Sequence, residues 1–193
     1  MSLHRDRRHD APLLAWGKAL RSRMIRRKRL WHGSAASSIC ALAVLASAAC
    51  PPSPRIIWNA STSAPMGLYS VSPGVPAGPG DWVIARVPEP SRALAARRHY
   101  LPANVPLVKR VAAVAGDDVC AIEQEIFING RWAAARRTAD AKGRAMPMWS
   151  GCVRLRGRQL FLLMDNPASF DGRYFGVTGG ADIIGKARLL WAL

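Results

Sequence analysis

The stretch Val105-Pro-Leu-Val-Lys-Arg-Val-Ala-Ala-Val-Ala-Gly-Asp-Asp-Val-Cys-Ala-Ile-Glu-Gln-Glu-Ile-Phe-Ile-Asn-Gly130 decides the class of fold. Val105–Ala115 is an apolar run interrupted by Lys109-Arg110, and it stops at the Gly116-Asp117 turn. Val119–Ile122 and Glu125–Ile128 then read as short strands, and Asn129-Gly130 supplies the positive-φ pair of a tight hairpin before Arg131-Trp-Ala. The same grammar holds outward from there. Gly67–Val71 and Asp81–Val87 are expected strands either side of the turn-rich Ser72–Gly80. Gln159–Met164 and Ile183–Leu193 are late strands, the last expected to be buried on both faces. Ser91–His99 fits one short helix, and residues 133–150, polar and poorly periodic, fit an inserted loop. No internal repeat is present. The expectation is a mainly β domain of short strands joined by Gly and Pro turns.

Charge divides the 193 residues into blocks. Residues 1–30 hold ten basic and two acidic side chains, residues 31–52 hold no Lys, Arg, Asp or Glu, and residues 53–193 hold eighteen basic and ten acidic. Each charged block is net +8, within a total of +16. This profile predicts a basic cytoplasmic segment over 1–30, a transmembrane anchor over 31–50, a linker over 51–58 and an extracytoplasmic domain over 59–193. Twenty helical residues at about 1.5 Å each match a hydrocarbon core of about 30 Å. Arg26-Arg-Lys-Arg29 keeps the preceding end inside, so the expected location is the inner membrane, single-pass, with the body on the periplasmic side. Two other readings stay open. Ala46-Ser-Ala48 fits a removable signal peptide, with Met24 as an alternative start. Cys50 invites lipidation, although Ser47 stands where an aliphatic residue is usual. All of these readings export the body.

Of four histidines, His4, His9 and His32 precede or enter the apolar block, which leaves His99 alone in the body. A multi-histidine metal site there is excluded, and His99 follows Arg97-Arg98 in a segment expected to be exposed. The body keeps one even pair of cysteines, Cys120 and Cys152. In an oxidising compartment that favours a disulfide, with two separate buried thiols as the alternative. C-x-x-C spacing and a Gly-rich phosphate loop are both missing, so no metal or cofactor is expected.

Chemistry has three candidate places. Lysine is scarce in the body, and Lys109 stands in an apolar strand. Desolvation there lowers an amine's pKa, and a neutral amine can take a proton from a serine hydroxyl. Spacing alone favours the other reading, an edge lysine that snorkels to water. The segment Asn59-Ala-Ser-Thr-Ser-Ala-Pro-Met-Gly-Leu-Tyr69 either presents a serine on a fixed backbone or is an ordinary polar turn. The loop Asp165-Asn-Pro-Ala-Ser-Phe-Asp-Gly-Arg-Tyr-Phe-Gly176 is dense in polar and aromatic groups, and alone it fits a structural Asp–Arg clamp.

In this order the segments resemble the type I signal peptidases, in particular the conjugative-transfer (TraF-type) branch that processes pilin precursors. Asn59-x-Ser-x-Ser-x-Pro-x-Gly-Leu-Tyr69 resembles that branch's nucleophile segment, and Lys109-Arg110 to Gly116-Asp117 resembles the family's lysine box. Ser169-Phe-Asp-Gly-Arg-Tyr-Phe-Gly176 resembles the S-x-D-S-R-x-x-G box, and Ile184-Gly-Lys-Ala-Arg188 the closing strand. The resemblance implies Ser63 as nucleophile, because the branch's serine stands two residues before the proline, and Lys109 as general base. Ser61 would supply an oxyanion-hole hydroxyl beside the backbone N–H of Ser63, and Asp171 and Arg173 a supporting pair. Gly172 departs from the pattern, which has serine there. The resemblance also supports the Cys120–Cys152 bond.

It further implies a signal-peptidase-like β-barrel catalytic domain, with its cleft near the membrane surface, behind one N-terminal transmembrane helix. The activity implied is Ser–Lys endopeptidase cleavage of an exported, pilin-like precursor with small residues before the cut, without nucleic acid or metal. Two other classes of function compete. One is an idle homologue serving a conjugation apparatus, which would leave Lys109 facing solvent. The other is an anchored cationic module for DNA or lipid head groups, though the body lacks the aromatic interleaving of a stacking platform.

Overall fold

Ala, Leu, Arg and Lys are strong helix formers, and they fill the chain well upstream of the apolar block. The result is a single helix α1, Ala11–Ala49, of 39 residues. It therefore begins inside the expected basic segment, well before residue 31. Within Trp16–Ala49 it is long and apolar enough to cross a membrane. The computed structural model describes residues 11–49, 53–89 and 91–193. Cys50 and the first two prolines of the connector lie outside the described residues.

The second unit, Ser53–Leu193, is mostly antiparallel strands, as its alternation and turn chemistry require. Its strands are β1 (Ile56–Asn59), β2 (Gly67–Ser72), β3 (Trp82–Ala85), β4 (Leu107–Ala113), β5 (Asp118–Ile122), β6 (Glu125–Ile128), β7 (Arg131–Ala135), β8 (Gly151–Arg154), β9 (Phe161–Leu162) and β10 (Ile183–Ala192). Two short helices, α2 (Ser91–Arg97) and α3 (Gly172–Phe175), interrupt them. One sheet has six strands in the order β1-β2-β10-β3-β4-β9, and the other four in the order β7-β6-β5-β8. The first buries Tyr69, Val71, Ile84 and Val108 in its core, and Val83, Val111 and Leu162 pack in an adjoining cluster. The second sheet packs Val119, Ala121 and Ile126 against Leu155 and Phe161.

Several elements depart from the sequence reading. The expected linker over 51–58 contains most of β1, because Ile56-Ile-Trp58 is a β-branched and aromatic run that pairs Ile56 with Ser70. The inserted loop loses its first residues to β7, which continues the hairpin through Ala135. Gln159–Met164 contracts to the two residues of β9. β10 is not buried on both faces: beyond Ala187 it runs to the surface, where Leu190 and Trp191 are exposed. β8, all of it exposed, was not legible, since only pairing with β5 makes it a strand.

Cys120 and Cys152 lie directly opposite each other across β5 and β8, and their sulfurs are bonded at 2.03 Å. Gly67 marks the tightest approach in the larger sheet. Its φ is +149°, and a Cβ there would meet the Trp191 carbonyl oxygen at 2.0 Å.

Candidate active site

The loop between β1 and β2 is organised by one side chain. Asn59 is buried, and its Oδ1 accepts the N–H of Ser61 at 3.1 Å. Its Nδ2 donates to the carbonyls of Ser61, Ala64 and Pro65 at 3.0, 3.2 and 3.0 Å. The Tyr69 hydroxyl donates to the same Pro65 carbonyl at 2.8 Å. The backbone carrying Ser61 and Ser63 is thereby tied to two strands. Ser61 Oγ lies 3.0 Å from Ser63 Oγ and accepts the Ser63 N–H at 3.3 Å.

Lys109 stands in the fully covered first half of β4, opposite Val83, and only 2% of it is exposed. It does not snorkel. Its Nζ lies 3.1 Å from Ser63 Oγ and 2.6 Å from Ser169 Oγ. Burial pushes its pKa down to about 8; Asp171 pulls it up, and Arg173 opposes Asp171. The amine is therefore within reach of its neutral form near neutral pH.

Asp171 and Arg173 hold this arrangement from behind. Both are buried, 0% and 2% exposed. Asp171 Oδ1 accepts from Arg173 Nε at 2.9 Å, and its Oδ2 from Arg173 Nη2 and the Met164 N–H, both at 3.1 Å. Arg173 Nη2 also donates to the Met164 carbonyl. Burial pushes the Asp171 carboxyl up, while Arg173 and then Lys109 draw it back down. As N-cap of α3, Asp171 also fixes the turn that follows Ser169.

All five expected residues, Ser61, Ser63, Lys109, Asp171 and Arg173, thus come together, from segments far apart in the chain. The disulfide does not join them; it lies in the four-stranded sheet. His99 is exposed, with a φ of 58°, and does not line the cleft. Two residues at the site carry no separate expectation from the sequence, Ser169 and Asn59. Each sits at the edge of a motif, and the signal that finds them is their fixed offset from Asp171 and Ser61. Ser63 opens on both sides. A cleft of about 940 Å³ contains Ser63, Lys109 and Ser169, and a smaller hollow of about 440 Å³ lies between Pro65, Met66, Trp82 and Met164.

With this geometry in view, the profile of the family described as "Signal peptidase, peptidase S26" matches residues 29–192. The chain belongs to the S26 signal peptidase family. It is 34% identical over 179 residues to the probable conjugal transfer protein TraF of Sinorhizobium fredii, covering 88% of this chain and 93% of that protein. It is 31% identical over 146 residues to the plasmid transfer protein TraF of Escherichia coli, covering 69% of this chain and 82% of that one. A signal peptidase I crystal structure from Enterococcus faecalis is 20% identical, with a TM-score of 0.35, covering 58% of this chain and 97% of that one.

Within this S26 chain, Gly172 has a local reason to lack a side chain. A Cβ there would meet the Leu162 carbonyl at 2.6 Å and the Phe161 ring at 2.8 Å. Its own carbonyl accepts from Trp149 Nε1 at 3.0 Å, so this position of the S26 domain serves packing.

Proposed function

We propose that the chain is a membrane-anchored serine endopeptidase that cuts exported precursor proteins of pilin type for a conjugative transfer system. The observation that carries this reading is the approach of a buried, pKa-depressed Lys109 Nζ to within 3.1 Å of Ser63 Oγ. Neutral Lys109 takes the Ser63 proton as Oγ attacks the scissile carbonyl. The oxyanion that forms accepts the Ser63 N–H and the Ser61 hydroxyl, which in the free chain face each other. Collapse expels the leaving amine, which takes the proton from Lys109. Lys109 then deprotonates a water, which attacks the acyl carbon, and passes that proton to the departing Ser63 Oγ; this releases the acid and restores both residues. Ser169 holds Nζ in line through its 2.6 Å contact, a positioning role.

Substrate binding as an extended chain fits the cleft. Among the described residues no strand covers the outer edge of β1, or the edge of β4 away from β3 over Leu107–Lys109. Both segments line the cleft, so a precursor strand would find main-chain partners beside Ser63. The names of the two TraF relatives support conjugation as the setting, α1 supports a membrane anchor, and the basic run Arg26–Arg29 before the apolar block favours the periplasmic side for the body. An idle assembly role would leave Lys109 free to face water, and its burial against two serines weighs for the enzyme.

The test is incubation of the full chain in detergent micelles with candidate pilin precursors, with mass spectrometry of the products. One defined cut is expected, and Ser63→Ala and Lys109→Arg should each abolish it. Undiminished cutting by Ser63→Ala would overturn the assignment.

A further inference from the structure

The cleft is larger than small residues before a cut require, and one wall of it serves no step of the chemistry above. That wall is a chain of touching side chains from separate segments. The Tyr100 hydroxyl reaches Met146 Sδ at 3.5 Å. The Tyr100 ring lies 5.2 Å from the Phe170 ring, and Phe170 stacks on Tyr174 at 6.0 Å. All four line the same cleft as Ser63 and Lys109, and Phe170 is the next residue after Ser169. Tyr100, Met146 and Phe170 are only half-buried: Arg144 and neighbouring rings, Phe175 included, cover part of them, and the remainder of their apolar surface is open.

The wall is also fixed in place. The Tyr100 hydroxyl donates to Asp140 at 2.5 Å, and Arg144 lies over the Tyr100 ring, 5.5 Å from its centroid. Asp140 accepts in addition from Arg144 Nε and from the N–H groups of Lys142 and Arg144, so its carboxylate is fully engaged and does not read charge. Arg98 Nη1 donates across to the Ala145 carbonyl at 2.7 Å. A fixed, partly open aromatic and thioether surface continuous with the Ser63–Lys109 cleft has the chemistry of an apolar subsite.

We infer that Tyr100, Phe170 and Met146 form a subsite for one bulky apolar side chain of the precursor, at a position removed from the scissile bond. This rests on the peptidase reading and sharpens it: small residues are tolerated at the cut, and recognition comes from a large residue farther along. Burial of a Leu or Phe side chain in place of Ala should improve kcat/KM by about tenfold to a hundredfold.

The experiment scans a Phe through an otherwise Ala-rich synthetic peptide, one position at a time on both sides of the cut, against the full chain in micelles. One position should show the gain, and Met146→Trp should bring that position's Phe/Ala ratio toward one. Binding of the same peptides to the Ser63→Ala chain, measured by calorimetry, should show the same single-position preference without any cutting. Cleavage with a flat profile overturns the subsite and leaves the peptidase reading standing. Absence of cleavage alongside a position-dependent affinity overturns the peptidase reading and keeps the subsite. A flat affinity profile overturns the subsite in either case.

Discussion

Lys109 departs far from the ordinary behaviour of a lysine. With a pKa of about 8, it is about one-tenth neutral at pH 7 and mostly neutral above pH 9. Cleavage should therefore rise on the acid side through about pH 8, read as kcat/KM against pH, and His99→Ala should leave that limb in place. The same shift bears on stability. The folded chain holds this proton less tightly than the unfolded one, so below about pH 8 the charged, buried amine costs on the order of 3 kcal/mol. That cost is relieved as pH rises from about 8 to the ordinary value of 10.5. Lys109→Met should accordingly raise the melting temperature of the full chain at pH 7, with the gain shrinking toward pH 10. An equal gain at both pH values would argue that burial is not the cause. Gly172 makes the opposite point. Gly172→Ser restores the family pattern, yet its Cβ would press on the Leu162 carbonyl at 2.6 Å. A loss of stability of about 1–3 kcal/mol is expected in thermal unfolding, as for overpacking elsewhere.

Among the elements, the segment from Arg136 to Trp149 is the one that sequence pattern describes least. It is an ordered flap pinned at both ends by one buried guanidinium. Arg136 donates to the Glu123 carbonyl through Nε at 2.9 Å and to the Trp149 carbonyl through Nη1 at 2.7 Å. The Tyr174 hydroxyl accepts the Arg137 N–H at 3.0 Å, which ties the flap to α3 and so to Asp171. Arg136→Met keeps bulk but removes these hydrogen bonds from a charged donor, at a cost of about 1.5–3 kcal/mol. Limited proteolysis should then nick the chain between residues 137 and 148 at protease concentrations that leave the parent intact. An unchanged digestion pattern would place the anchoring in the Asp140–Tyr100 clasp instead.

At the scale of the molecule, an apolar helix is joined through a short connector to a β domain that carries the candidate site. Alkaline phosphatase fused after Leu193 should be active in cells, because Arg26–Arg29 favours the cytoplasmic side; activity from a cytoplasmic reporter alone would reverse the topology. The sequence by itself determined the β class, the apolar block and the members of the motifs. Those features are written in local terms: period-2 alternation, Asn129-Gly130 turn chemistry, a charge-free run and fixed residue offsets. Where pairing rather than propensity makes the strand, as in β8, the local terms were silent. They also left Lys109 undecided between a snorkelling cation and a base. Only tertiary structure settled its burial, because desolvation is imposed by groups distant in the chain, with Ser63 46 residues before it and Ser169 60 residues after. The same holds for the Asn59 clamp, the space denied at Gly172 and the aromatic wall from Tyr100 to Tyr174. Each is a contact between segments whose separation along the chain carries no periodic signal.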